Sequence, residues 1–180
     1  SDMTKVSSTS YTYSWTVGTG AGTQTFTLAT GTDGGGNIIT PTPTSGATIT
    51  VINTVPTASL VYAIGGSSVS TVKQGDEVTI TATFSEAMTD SPVVQVLASG
   101  VKSISASDMT KVSSTSYTYS WTVGTGDGTQ TFALATGTDA QGNVITATPT
   151  SGATITVDNT VPTASLAYAI GGSSVSTVKQ

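Results

Sequence analysis

Residues 1–74 return, shifted by 106 positions, as residues 107–180: Ser1-Asp2-Met3-Thr4-Lys5 comes back as Ser107-Asp108-Met109-Thr110-Lys111. A repeat of this length constrains the chain more than any other feature, because a unit of about 100 residues is large enough to bury a core of its own. The 180 residues begin and end in mid-repeat. They are therefore expected to hold one whole unit, residues 54–159, with a partial unit carrying the last strands over 1–53 and another carrying a first strand over 160–180. The two copies differ only at positions 21, 27, 34, 35, 38, 41, 52 and 61 and their counterparts. Such near-identity suits a unit with the same mechanical task in every copy.

Alternation of apolar and polar residues sets the fold class. Val78, Ile80, Ala82 and Phe84 share one phase of period two, and Thr79, Thr81 and Thr83 take the other, which is the pattern of a half-buried strand. Tyr117, Tyr119, Trp121 and Val123 repeat it, as do Phe132 with Leu134 and Ile155 with Val157. Nothing follows a helical period. Turn signals at Lys73-Gln74-Gly75-Asp76, Asp90-Ser91-Pro92, Gly124-Thr125-Gly126-Asp127-Gly128 and Asp139-Ala140-Gln141-Gly142-Asn143 separate the runs. About seven short strands in about 100 residues predict an all-β chain of tandem immunoglobulin-like β-sandwich modules. The strands are expected at A (57–64), B (77–84), C (93–99), a poorly defined D (101–112), E (115–123), F (129–136) and a long G (143–158), kinked near Pro149 and Gly152.

Charge and composition exclude several function classes. The chain has five lysines, no arginine, no histidine and a net charge of −5, so it lacks the clustered cations that nucleic acid requires. Sixty-four residues are serine or threonine, which suits the outward face of strands better than helices. Cysteine is absent, so neither disulfides nor thiolate metal sites hold the units together. No apolar run reaches the roughly 20 residues of a membrane span. No histidine or cysteine, nucleophile elbow, phosphate-cradling loop or paired carboxylates in a cleft point to catalysis, and no enzyme is expected.

Asp158-Asn159-Thr160-Val161-Pro162-Thr163 joins one unit to the next without a Gly/Ser tether. Pro162 fixes its own φ and keeps Val161 extended, so the junction is expected to be stiff.

At Gly75-Asp76-Glu77-Val78-Thr79-Ile80-Thr81-Ala82-Thr83-Phe84-Ser85-Glu86, at Gly137-Thr138-Asp139-Ala140-Gln141-Gly142-Asn143 and at Val157-Asp158-Asn159-Thr160-Val161-Pro162-Thr163, the chain resembles the bacterial Ig-like repeats of giant cell-surface adhesins. That class includes biofilm adhesins and the long surface filaments of gliding Bacteroidetes, and the resemblance covers all 180 residues. It implies an extracellular, surface-bound stalk or spacer that carries adhesive regions outward, whose partners are neighbouring modules and, through other regions, surface glycans or other cells. The alternative is a repeated module that itself binds glycans or cells.

The resemblance also implies calcium at some seams. On an immunoglobulin-like topology Asp76, Glu77, Asp127, Asp158 and Asn159 gather at the lower pole, and Glu86, Asp90, Asp139 and Asn143 at the upper pole. These are the candidate inter-module ligands, since calcium takes six to eight oxygens. The plainer reading is that turns favour Asp, Asn and Gly. In the first copy Ala21 replaces Asp127 and Ile52 replaces Asp158, which removes two candidates from that seam.

Two further features have structural explanations beside functional ones. Tyr117, Tyr119 and Trp121 could stack on sugars, but their phase with Val123 marks them as core. Thr154, Thr156, Thr146 and Thr148 could present a flat binding surface, but are expected to be ordinary solvent faces.

Overall fold

The computed structural model describes all 180 residues, Ser1–Gln180, and consists of sixteen strands with no helix; hence no helix is long and apolar enough to cross a membrane. The first copy contributes β1 (Thr4–Lys5), β2 (Tyr11–Thr12), β3 (Gly22–Thr25) and β4 (Thr48–Val51). The central unit contains β5 (Ala58–Ile64), β6 (Ser67–Ser68), β7 (Thr71–Val72), β8 (Glu77–Phe84) and β9 (Gln95–Gly100). It continues through β10 (Ile104–Asp108), β11 (Thr110–Lys111), β12 (Ser116–Thr122), β13 (Gly128–Leu134) and β14 (Thr154–Val157). A last hairpin, β15 (Tyr168–Ile170) with β16 (Ser173–Val175), follows.

The central unit is a two-layer β-sandwich. One sheet has the order β11-β12-β8-β5-β6 and the other β10-β9-β13-β14-β7. All pairs are antiparallel except β14 with β7. Strand β8 lies between β5 and β12, and its alternation points Val78, Ile80, Ala82 and Phe84 inward while Thr79 and Thr83 face solvent. Tyr117 and Trp121 of β12 point the same way. From the other sheet Gln130, Phe132 and Leu134 of β13 and Ile155 and Val157 of β14 meet them. Phe132 packs edge-on to Trp121 at 5.2 Å and lies 5.6 Å from Tyr62, so one ring joins the two sheets. The 21 buried apolar residues form one core, all between Ala58 and Val157. Truncating one of its large side chains to alanine costs about 2–5 kcal/mol, a large share of the stability of a domain this size.

The flanking copies carry the same residues without the strands that would cover them. Ile155 is 3% exposed and its counterpart Ile49 is 50%; Leu60 is 3% and Leu166 is 81%. Burial here is a long-range property, created when residues far apart in sequence pair across β8 and β13.

Two features go beyond the expected strands. The long strand G is regular only over β14, because residues 143–153 pair irregularly with the first strand: Thr146 N–H donates to Pro56 O, Thr150 N–H to Ala58 O, and Leu60 N–H to Ser151 O. Gly152 allows this approach; its φ is +69° and a Cβ there would lie 1.9 Å from Leu60 O. The first strand ends at Ile64 as expected, but the chain stays on the sandwich beyond it. It turns at Gly65-Gly66 into β6 and crosses to the second sheet as β7, so residues 54–74 border both layers.

Candidate functional site

Each end of the sandwich gathers polar loops, and the end from which the chain leaves for the next repeat is the more closely tied. There the β7–β8 turn, the β12–β13 loop and the end of β14 come together: Gly75 N–H donates to Val123 O, Val123 N–H to Asp76 O, and Asp158 N–H to Val72 O. Asn159, which continues from β14, fastens the departing chain to the turn and the loop. Its Nδ2 donates to Gly126 O at 2.7 Å and to Gly124 O at 3.4 Å, its Oδ1 accepts from Gln74 N–H, and its own N–H donates to Asp127. Asp158 then receives Thr160 N–H at 3.0 Å. A side-chain amide suits this position because it donates and accepts at once, which neither a carboxylate nor an ammonium can do.

The preceding seam shows the same device in reduced form. Asn53 Nδ2 donates to Gly18 O and Gly20 O, both at 3.0 Å, but Ala21 stands where Asp127 would receive the backbone N–H. On the far side of that seam, Asn143 Nδ2 reaches Ile52 O at 3.3 Å, so the linker touches the central sandwich as well as the first copy.

At the other end Asp139 closes its own loop. It is buried, and its carboxylate receives the N–H groups of Gln141 and Asn143 and the Asn143 amide. Burial works against its ionisation, but these bonds, chiefly from Asn143, outweigh it and hold the carboxyl below the usual range. Asp33 makes the same three bonds with Gly35 and Asn37 while fully exposed, so the loop is encoded locally and needs no core around it.

The remaining candidate ligands have separate partners. Asp76 receives Lys73 N–H and pairs with the Lys73 ammonium at 3.2 Å; the backbone bond comes first among the causes that lower its carboxyl. Glu77 accepts from Thr122 at 2.7 Å, Asp90 pairs with Lys111, and Glu86 lies beyond β8 without an ionic partner. Topology thus brings Asp76, Glu77, Asp127, Asp158 and Asn159 to one end and Asp90, Asp139 and Asn143 to the other. Nowhere do three or more acidic side chains converge on a point that could hold a metal ion. Both ion pairs leave at least their lysine open to solvent, where such pairs contribute little.

Tyr117 and Trp121 are buried and Tyr119 half-buried, which removes the stripe from any sugar-facing surface. The Tyr117 hydroxyl and Trp121 Nε1 have no hydrogen-bond partner there. Gln130 was not legible as a polar anchor, yet it is wholly buried: Nε2 donates to Ser99 O and Lys102 O, each at 2.8 Å, and Oε1 accepts from Lys102 N–H at 2.8 Å. Its position in phase with Phe132 and Leu134 was the available signal.

No family model matches the chain, and neither a curated protein nor a solved structure matches it.

Proposed function

We propose that each 106-residue unit is a non-catalytic, immunoglobulin-like spacer, and that a series of them forms a stalk carrying adhesive regions outward from a bacterial cell surface. The observation that carries this reading is the fastening of Asn159. A linker bound by four hydrogen bonds to two separate loops of the module it leaves is held more firmly than a loose tether. Sheet order supports the immunoglobulin-like part, since the strands labelled A, B and E share one layer, C, F and G the other, and the end of the first strand runs parallel to G. With its longest strand eight residues long, and about 3.3 Å per residue plus loops, a module adds roughly 40 Å of reach.

Electron microscopy of a tandem array of the unit tests the reading. Straight rods with a regular repeat of about 40 Å are expected, and Asn159→Ala in every copy should make them bend at the seams. Wild-type arrays that collapse, or that are as flexible as the Asn159→Ala arrays, would refute it. A glycan array probed with the same material separates the spacer from a binding module, since a spacer leaves every sugar unbound.

A further inference from the structure

The entering and leaving segments of the central unit lie side by side and run the same way. Residues 54–74, the edge segment that borders both layers, meet residues 143–158 at two places. Near the end where the chain enters, Ser59 bridges Ser151, and near the end where it leaves, β7 pairs with β14; both pairings are parallel. Five backbone bonds of 2.7–3.2 Å join the two segments: Thr146 N–H to Pro56 O, Thr150 N–H to Ala58 O, Leu60 N–H to Ser151 O, Thr156 N–H to Ser70 O and Asp158 N–H to Val72 O. The Tyr62 hydroxyl adds a bond to Gly152 O at 2.6 Å.

Parallel pairing decides how a pull acts on these bonds. The chain enters at the end where Asn143 meets Ile52 O, and leaves at the opposite end, where Asn159 is fastened. Tension between neighbouring units therefore draws residues 54 and 159 apart along the strand direction, and the two segments are driven past each other. Backbone bonds in a sheet run across the strands. A slide of about one residue, roughly 3.3 Å, thus carries all of them beyond bonding distance together, whereas an opening motion breaks them one after another. Neither segment is free to follow the other, because β5 is registered on β8 from Ala58↔Phe84 to Ala63↔Thr79, and β14 on β13 from Gly128↔Val157 to Thr131↔Thr154.

We propose that each unit has a further function, to bear tension: its entering and leaving segments clasp one another directly, so that a pull through the chain ends meets five backbone bonds strained together in shear. The clasp divides between the two sheets, so neither layer can yield alone. The inference concerns a single unit, and it stands whether or not an array forms a stalk.

Single-molecule pulling of the full chain tests it. Cysteine is absent, so handles attach only at introduced sites, and Thr54, Gln74 and Thr160 are all exposed. Thr54→Cys with Thr160→Cys pulls the unit end to end. Gln74→Cys with Thr160→Cys pulls both segments from the same end and peels β7 from β14. Release of about 300 Å of chain marks the opening of the unit in either direction. At one loading rate the end-to-end direction should need a severalfold higher force than the peeling direction. Equal forces, or a lower force end to end, would overturn the proposal.

Two variants pulled end to end locate the resistance. Thr156→Pro removes the N–H that Ser70 O receives, and Val96→Ala weakens the core on a strand outside the clasp. The unfolding force should fall for Thr156→Pro and stay near that of the wild type for Val96→Ala, although urea denaturation finds Val96→Ala destabilised. A larger fall for Val96→Ala than for Thr156→Pro refutes the clasp. Should Thr156→Pro not fold, the comparison of the two pulling directions decides alone.

Discussion

Gly152→Ala and Gly46→Ala make the same chemical change in the same local sequence, and the structure assigns them very different costs. Both glycines have φ +69°, where an alanine is strained by about 1–2 kcal/mol. At Gly46 nothing lies within 4 Å of the added methyl group. At Gly152 the methyl group would sit 1.9 Å from Leu60 O, far inside contact distance, and β5 must move away. That movement breaks the Leu60–Ser151 backbone bond and the Tyr62–Gly152 bond, at about 1 kcal/mol each, and begins to expose Leu60. The total for Gly152→Ala is about 3–5 kcal/mol, or about 2 M in the urea midpoint for a domain of this size. In a Trp15→Phe background, where Trp121 alone reports on the core, urea titration should show this fall for Gly152→Ala and no change for Gly46→Ala, which lies outside the core. If Gly152→Ala lowered stability by no more than the backbone strain, the close packing of the edge segment would be wrong.

Other expectations follow from the polar groups inside the sandwich. Tyr117→Phe removes a buried hydroxyl that has no partner, so thermal unfolding should find the variant as stable as the wild type or up to about 1 kcal/mol more so. A loss greater than that would reveal a bond the structure lacks. Gln130→Ala leaves the Ser99 and Lys102 backbone groups unpaired and should cost about 2–4 kcal/mol in urea denaturation. Hydrogen bonds hold the Asp139 carboxyl below the ordinary aspartate range when folded, so its contribution is present above the unfolded value and is lost as pH falls through the depressed one. Asp139→Asn should therefore flatten the loss of stability below about pH 4, while Asp33→Asn should leave the module's acid profile unchanged. Because hydrogen bonds within the chain fasten the Asn159 seam, adding chelator to a calcium-containing sample should leave the melting temperature in place; a drop would bring calcium into the seam.

How far the structure was legible in the sequence depended on how local each feature is. Strand β8 was read residue for residue, since Glu77–Phe84 alternates without interruption and its outward threonines admit no other period. The loop closed by Asp139 and Asn143 was visible as a turn, and its exposed twin at Asp33 and Asn37 explains why: the hydrogen bonds span at most four residues. The Gly65-Gly66 hairpin had a usable signal that the strand reading passed over, because a paired glycine between apolar runs marks a two-residue turn. In residues 143–153 Pro149 and Gly152 signalled a kink but not its partners, which are backbone groups of Pro56, Ala58 and Leu60, about 90 positions away. The seam falls between these cases. Topology alone brings Gln74, Asp127 and Asn159 to one end of the sandwich, but which oxygen meets which N–H depends on the path of the β12–β13 loop. An acidic and amide-rich end was therefore open to a calcium reading and a turn reading alike, and what distinguishes Asn159 is that its amide meets a donor from the β7–β8 turn and acceptors from the β12–β13 loop at once.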